Sequence, residues 1–211
     1  RKRITLHLNQ RSEMLSGISH DLRTPLTRLK LQLALLKQQD LAKKMSDDIE
    51  EMERMLDEYL EFSRHQKSEE TEKINLNNII KDLAQKYENK QISLSLEGNL
   101  EINIRPNSIK RCLTNLIDNG LSFGKKVEIL SNKTKNSITI IIDDDGPGIA
   151  ENEYQNVMKP FYRIDKSRGQ NKSGVGLGLS ITNDIIRSHG GDIFLETSPY
   201  NGLRVKISLP F

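Results

Sequence analysis

The chain has 211 residues, of which 35% are hydrophobic and 29% are charged, a balance that is ordinary for a globular protein of one or two domains. Its net charge of +3 is small and unclustered, so charge gives no support to a nucleic-acid-binding function. No run approaches the roughly 18 apolar residues of a membrane span, and the single cysteine, Cys112, excludes an internal disulfide. The chain starts as if in mid-helix and lacks a signal-peptide pattern, so we expect a fragment of a longer protein.

The first predicted element is a long amphipathic helix that carries a histidine on its outward face. Its apolar stripe has the spacing of one helix side and consists of Leu15, Ile18, Leu22, Leu26, Leu29, Leu33 and Leu36. His20 lies off this stripe, with Asp21 beside it and Thr24 one turn later. A lone histidine on such a helix is more often simply solvated. Pro25 argues against that reading, because a proline inside a helix costs roughly 3 kcal/mol and marks a rule broken at a functional site.

A second helix is predicted after a short polar loop at 37–40. Its apolar positions are Met45, Ile49, Met52, Leu56 and Tyr59. Two helices cannot enclose both stripes alone, although burying about ten large side chains would contribute a gross ~15 to 30 kcal/mol. A second copy of the chain is the simplest partner that would bury these stripes. We therefore expect residues 1–66 to form an all-α hairpin within a homodimeric four-helix bundle.

An α/β domain is predicted over residues 74–211, after a polar linker at 67–73. The expected helices span 76–88, 107–121 and 178–189. The expected strands span 92–96, 101–104, 126–130, 137–142, 192–197 and 203–209. This order of strands and helices predicts a two-layer sandwich in which helices cover one face of a single sheet.

Two glycine-containing loops in this domain indicate phosphate binding. The run 144–149 reads Asp-Asp-Gly-Pro-Gly-Ile after a β-branched strand, and the run 174–178 reads Gly-Val-Gly-Leu-Gly before a helix. Backbone amides and the helix dipole at such a loop favour an anion. Taken alone, the second loop is equally well explained as a flexible segment. A dinucleotide site is disfavoured because polar residues 165–173, rather than a strand, precede these glycines.

Two sets of motifs, one in each half of the chain, resemble those of known protein families. The run from Ile18 to Leu26 resembles the phosphoacceptor box of sensor histidine kinases, and its continuation at 27–30 is similar to osmosensing kinases of the EnvZ type. Asn115 and Asn119, four apart on one helix face, precede the two glycine loops and the segment 161–163, Phe-Tyr-Arg. Their order resembles the Bergerat-type ATP domain that these kinases share with gyrase B, Hsp90 and MutL.

The resemblance implies ATP and Mg²⁺ as ligands. Asn119 would hold Mg²⁺ through its amide oxygen with support from Asn115, while Asp144 would accept a hydrogen bond from the adenine amino group. Asn115 could also be a plain helix-surface amide. The remaining implied contacts are of three kinds: ring packing by Phe123 and Ile149, close approach at Gly146 and Gly148, and a phosphate lid of Gly174, Gly176, Leu177 and Gly178. Arg163 and Arg168 would meet the γ-phosphate.

The same resemblance implies an enzyme with three reactions. ATP would phosphorylate His20, with Asp21 as base or orienting group, and the phosphoryl group would pass to an aspartate of a response regulator. Thr24 would position water for the reverse dephosphorylation of that regulator. The chain would be the cytoplasmic portion of a bacterial inner-membrane protein, attached only through segments outside it, with no nucleic-acid partner.

The run Asn119-Gly120-Leu121-Ser122-Phe123 departs from the family pattern, Asn-Ala-x-Lys/Arg-Tyr/Phe. Ser122 lacks the positive charge, and Gly120 costs up to ~1 kcal/mol relative to alanine in a helix. These departures keep open a pseudokinase, a dimeric scaffold that binds a regulator with little phosphotransfer. A Bergerat ATPase without phosphotransfer would leave the histidine box unexplained. His189 is expected to be an ordinary surface or loop residue.

Overall fold

The computed structural model describes residues 25–33, 41–43, 45–47, 49–50, 52–53, 69–87, 91–164 and 176–211. The chain divides into two compact units, Arg1–Glu69 and Glu70–Phe211. This division falls within the segment expected to be a linker, and the first strand begins at Glu72. None of the helices in the described ranges is long and apolar enough to cross a membrane.

The first unit is helical at every described position between 25 and 53. Lys30 on one helical segment donates from Nζ to Oε2 of Glu53 on the other at 2.7 Å, so the two segments lie side by side. Leu33 and Ile49 from the two predicted stripes are buried. Three other stripe residues remain between 42% and 49% exposed, namely Leu29, Met45 and Met52. The described part of one chain therefore leaves much of its own apolar stripe uncovered.

The second unit is a two-layer α/β sandwich, as predicted. Its strands are β1 Glu72–Asn75, β2 Gln91–Leu96, β3 Glu101–Ile104, β4 Lys126–Lys133, β5 Ser137–Asp144, β6 Asp192–Thr197 and β7 Leu203–Pro210. Its helices are α1 Leu76–Gln85, α2 Pro106–Phe123, α3 Tyr154–Val157 after a 3₁₀ turn at Glu151–Glu153, and α4 Gly178–Ser188. The long elements begin and end within about three residues of their predicted bounds.

The prediction of a single sheet is wrong. Five strands form the main sheet in the order β2-β4-β5-β7-β6, in which only β2 and β4 run parallel. β1 and β3 form a separate antiparallel pair with Ile74 opposite Ile102. β1 reads Glu-Lys-Ile-Asn in a polar stretch and shows no alternation of its own. Its strand conformation depends on hydrogen bonds to β3, about 30 residues away, which a local pattern does not reveal.

The core lies between the helices and one face of the main sheet. Along β7 the residues at 203, 205, 207 and 209 are buried and those between them are partly exposed, which is the alternation of a strand covered on one side. α2 buries residues at 109, 112, 113, 116, 117 and 120, which is the spacing of one helix side. Cys112 lies in this stripe, and burial raises the pKa of its thiol to about 12. The thiol is therefore protonated near neutral pH.

His189 lies in the turn after α4, in line with its prediction as a surface or loop residue, and it links the two long helices. It ends α4, and its Nδ1 lies 2.8 Å from the carbonyl oxygen of Ile185. Nδ1 therefore donates, which leaves Nε2 to accept from the backbone N–H and the Nε–H of Arg105 at 3.1 and 3.4 Å. Because Arg105 is the N-cap residue of α2, the start of α2 is tied to the end of α4.

A buried ion pair joins β5 to β7 on the sheet face opposite the core. Asp143 is 1% exposed, and its two carboxylate oxygens accept from Nε and Nη2 of Arg204, both at 2.7 Å. The two residues are opposite each other in the strand register. Two parallel charge-assisted bonds fix the pairing of these strands where β5 ends.

We expect Arg204→Met to lower the free energy of unfolding by roughly 3 kcal/mol, because it leaves a buried carboxylate without its cation. The matched control is Lys73→Met, which breaks an exposed pair with Glu101 and should change stability by less than about 1 kcal/mol. Urea unfolding of both variants measures the difference. Equal losses would show that the Asp143–Arg204 pair is no stronger than a surface contact.

Candidate functional site

Asp144 is the centre of the candidate site and lies at the last position of β5. The residue is 7% exposed, and its Oδ1 accepts from the backbone N–H of Gly146 at 2.9 Å and of Leu203 at 3.0 Å. Among the described residues no donor contacts Oδ2. The carboxylate is thus held through one oxygen, and the second oxygen keeps its capacity to accept a hydrogen bond from a ligand.

Burial shifts the ionisation of this carboxylate. Desolvation raises the pKa of Asp144, and the hydrogen bonds from Leu203 and Gly146 oppose that rise. Its neighbour Asp145 behaves in the opposite way, since the backbone amides of Lys126 and Lys125 donate to Oδ1 and lower the pKa of Asp145. Two adjacent carboxylates therefore differ in environment, one facing the site and one holding the start of β4.

Helix α2 approaches the end of β5 closely at Gly120. A Cβ atom at this position would lie 2.8 Å from Cγ2 of Val127 and 3.3 Å from Cβ of Asp144. The glycine that departs from the family pattern therefore has a packing role, because it brings α2 against β4 and β5. The next turn contributes Phe123, whose side chain is 46% exposed and whose Cβ lies beside Gly146.

Asn115 and Asn119 lie on the same side of α2, as the sequence predicts. Nδ2 of Asn115 is buried and has no hydrogen-bond partner among the described residues. Asn115 faces the start of α4, where a Cβ at Gly178 would lie 3.9 Å from its own Cβ. No side chain caps this end of α4, and Leu177, which is 2% exposed, occupies the N-cap position. An unpaired amide and a helix N-terminus thus meet in one place.

The segment 161–163 packs against the second glycine loop. Gly176 has φ +76°, and a Cβ there would lie 2.9 Å from the carbonyl oxygen of Tyr162 and 3.3 Å from Cγ of Arg163. The backbone N–H of Phe161 donates to the carbonyl oxygen of Gly176 at 3.0 Å. Tyr162 donates from its hydroxyl to Glu153 at 2.6 Å, which anchors the segment. Arg163 is exposed beside this contact.

Several predicted residues lie outside the described ranges, namely His20, Asp21, Thr24, Arg168 and Gly174. Ile149 is described and half-buried at the end of the first glycine loop. Ser122 is exposed, and its Oγ donates to the carbonyl oxygen of Asp118 at 2.6 Å within α2. The hydroxyl at the position of the missing basic residue is therefore engaged with its own helix.

The turn between β6 and β7 supports the site, and the sequence prediction missed it. Ser198 donates from Oγ to the carbonyl oxygen of Asp144 at 2.8 Å, and Leu203 provides one of the two amides on Oδ1. Gly148, with φ +69°, packs on the carbonyl oxygens of Asn201 and Gly202. An Asn-Gly pair between two predicted strands is the signal that marks such a turn.

The residues that the structure brings together fit a purine nucleotide with a polyphosphate chain. Oδ2 of Asp144 is an acceptor for an exocyclic amino group, Phe123 offers an apolar surface, and the start of α4 offers backbone amides. Asn119 is half-buried and lies one turn along α2 from Asn115. No group of three His, Cys, Asp or Glu side chains within the described ranges forms a metal cluster. An amide oxygen suits an Mg²⁺ ion that takes its other ligands from phosphates and water.

Residues 104–211 match the family described as histidine kinase-, DNA gyrase B-, and HSP90-like ATPase, and residues 10–68 match the His Kinase A (phospho-acceptor) domain. The sensor histidine kinase GtrS of Pseudomonas aeruginosa is 34% identical over 218 residues, which cover 99% of this chain and 44% of GtrS. The sensor histidine kinase CpxA of Escherichia coli K12 is 35% identical over 217 residues, which cover 96% and 48%. The chain spans about half the length of these curated relatives.

A solved structure has the same fold. Full-length ShkA, crystallised in complex with AMPPNP, superposes with a TM-score of 0.70 at 18% sequence identity. The match covers 95% of this chain and 46% of ShkA. At this identity the likeness concerns the fold alone.

Gly120→Ala should lower stability by about 1 kcal/mol. Overpacking against Val127 costs about 1 to 3 kcal/mol, whereas alanine gains up to about 1 kcal/mol of helix propensity. In a Val127→Ala background the same substitution should instead stabilise, because the overlapping methyl group is gone. A double-mutant cycle by urea unfolding measures this change of sign. An unchanged effect in both backgrounds would contradict the close approach of α2 to β4.

Asp144→Asn should stabilise the protein at pH 7, and the gain should vanish below about pH 4. The reason is linkage: a raised folded-state pKa means that the native state binds the proton more tightly, so stability falls as pH rises through that range. Asp145→Asn should show the opposite sign, with a loss at pH 7 that vanishes in acid, because the folded state lowers the pKa of Asp145. Thermal unfolding across pH measures both. Parallel pH profiles for the two variants would refute the assignment.

Proposed function

Because the chain belongs to the sensor histidine kinase family, we propose that it binds ATP in its second unit, phosphorylates itself on His20 and passes the phosphoryl group to a response-regulator aspartate. The observation that carries the proposal has two parts, both along α2. Oδ2 of Asp144 accepts from no described residue and its carboxylate lies by Gly120, while the unpaired amide of Asn115 lies by the uncapped start of α4. A base-amino acceptor and two donors to phosphate suit one nucleoside triphosphate. ShkA, which has the same fold, was crystallised with AMPPNP, a nucleotide of this class.

The residues of the second unit would act by binding and orientation. Asp144 accepts from the adenine amino group, Phe123 packs on the ring, and the amides at Leu177 and Gly178 donate to phosphate oxygens. Arg163 places a guanidinium near the γ-phosphate through its contact with Gly176. Positioning and charge supply most of the rate enhancement in phosphoryl transfer, so this set of residues accounts for the main requirement.

Mg²⁺, when bound, neutralises charge on the transferring phosphoryl group. Asn119 would hold it through its side-chain oxygen, and Asn115 would donate from Nδ2 to the phosphate chain. Neither role needs a carboxylate cluster, which agrees with the neutral amides on this side of α2. Gly120 is explained by packing, since a Cβ there would lie 2.8 Å from Cγ2 of Val127, so this departure from the family pattern is not evidence against turnover.

His20 is the proposed acceptor. A lone pair on one imidazole nitrogen forms the bond to the γ-phosphorus while the bond from phosphorus to the bridging oxygen breaks and ADP leaves. Asp21 accepts from the other ring nitrogen and stabilises the positive charge that develops on the ring. The phosphoryl group then moves to a regulator aspartate. Thr24, four residues after His20 in the sequence, would orient water for hydrolysis of that phosphoaspartate.

The exposed apolar stripe supports a homodimer as the functional assembly. Leu29, Met45 and Met52 are each more than 40% exposed in one chain. A second copy would bury the same residues by symmetry and complete a four-helix bundle. We further propose that the whole protein is membrane-bound with this region on the cytoplasmic side; the relatives that it matches are named as sensor proteins, and it spans about half of their length.

His20→Gln should abolish labelling by γ-labelled ATP, because the side-chain amide is not a nucleophile for phosphorus. The parent should carry an acid-labile, base-stable label, as a phosphoramidate does. His65→Gln is the matched control in the same unit and should keep the label. A parent that stays unlabelled under saturating Mg²⁺-ATP would instead favour a regulator-binding scaffold.

Thr24→Ala should retain labelling at His20 and lose most dephosphorylation of the phosphorylated regulator, because a methyl group cannot orient water. Thr27→Ala, three residues further along the sequence, should keep both activities. The measurement follows release of phosphate from the phosphorylated regulator with each variant. Equal rates in the Thr24 variant and the parent would remove Thr24 from this role.

A further inference from the structure

The turn at 198–202 and Leu203, which follows it, make three contacts with Asp144. Oγ of Ser198 donates to the backbone carbonyl oxygen of Asp144 at 2.8 Å and accepts from the backbone N–H of Tyr200 at 3.0 Å. Leu203, directly after the turn, donates its backbone N–H to Oδ1 of Asp144. Ser198 is 4% exposed, so both of its hydrogen bonds are shielded from water.

Gly202 makes the third contact with Asp144. A Cβ at this position would overlap both the carbonyl oxygen and Oδ1 of Asp144, so only glycine fits against the carboxylate. The same turn supports the neighbouring loop, because a Cβ at Gly148 would lie 3.1 Å from the carbonyl oxygen of Asn201. Because the turn packs closely against Asp144 and Gly148, it restricts both the rotation of the Asp144 side chain and the backbone path of the loop that follows β5.

The result is an asymmetric carboxylate. Oδ1 receives two backbone amides, whereas no described residue donates to Oδ2. If the side chain rotated about the Cα–Cβ bond, the oxygen that receives no amide would turn away from the site. An acceptor held at one place discriminates between a base that presents an amino group and a base that presents an oxygen there, because the oxygen has no proton to donate to the carboxylate.

We propose that Ser198 and Gly202 are positioning residues that set the selectivity of the site for an amino-purine nucleotide over a 6-oxo-purine nucleotide. The inference deepens the proposed ATP site and rests on it. The turn acts through Asp144 and not on the nucleotide itself. Its effect should therefore appear in the comparison of two nucleotides that differ only at the amino group.

The experiment compares the affinities of Mg²⁺-ATP and Mg²⁺-ITP for the full chain by calorimetric titration. In ITP an oxygen replaces the amino group of ATP, and we expect the parent to prefer ATP by at least about tenfold. Ser198→Ala and Gly202→Ala should bring this ratio close to one by weakening ATP while leaving ITP nearly unchanged. Ser198→Thr keeps the hydroxyl and should keep the ratio.

Tyr200→Phe is the matched control in the same turn. It removes the hydrogen bond from the Tyr200 hydroxyl to Glu128 at 2.7 Å and no contact to Asp144, so the ratio should stay at the parent value. A purely structural role for Ser198 and Gly202 would weaken ATP and ITP equally and would overturn the inference. Ser198→Ala leaves no new atom in the site, so it provides a test even where Gly202→Ala disturbs folding.

Asp144→Asn separates the inference from the proposed function. If the ratio collapses in this variant and persists in Ser198→Ala and Gly202→Ala, Asp144 reads the base and the turn does not position it. If the ratio persists in Asp144→Asn as well, the role of Asp144 in the proposed ATP site is wrong. Collapse in all three variants supports both.

Discussion

A carboxylate buried at the end of a strand must receive hydrogen bonds, and the packing of the second unit is organised around meeting that need at Asp144. Its two amide donors come from different segments, one from the loop that follows β5 and one from the start of β7. The pairing of β5 with β7 must therefore be in register, which the Asp143–Arg204 ion pair enforces on the opposite face. If β5 slipped by one residue, its side chains would turn to the opposite face of the sheet, and the Asp144 carboxylate would leave the candidate site.

Helix α2 connects this carboxylate to the phosphate side of the site. Gly120 lets the helix approach Asp144, and Asn115 lies one and a half turns earlier beside the start of α4. The hydrogen bonds between Arg105 and His189 hold the far ends of the same two helices. The distance between Asp144 and Asn115, the groups proposed to bind the base and the phosphates, is thus set by a rigid helix and its end contacts, which favours one ligand length.

The two departures from the family pattern have different meanings in the folded chain. Gly120 is explained by its packing, because a Cβ atom there would lie 2.8 Å from Cγ2 of Val127 and either the Val127 side chain or the helix would have to shift. Ser122 is explained only locally, because its hydroxyl bonds to the carbonyl oxygen of Asp118 in its own helix. The charge that related kinases place at this position must come from elsewhere if turnover requires it, and Arg163 beside Gly176 is a described cation close to the glycine loop.

The sequence by itself determined the features that repeat locally or match a motif. The periodic spacing of apolar residues predicted α1, α2, α4 and the alternating strands. The ordered motifs indicated Asp144, Asn115 and the glycine loops. Each of these signals depends on residues that are close in the chain. Only the tertiary structure decided the pairing of β1 with β3, the link from His189 to Arg105, and the support of Asp144 by Ser198 and Gly202. Those contacts join residues 26 to 84 positions apart. Their partners are chosen by packing, so no local pattern in either partner specifies the other.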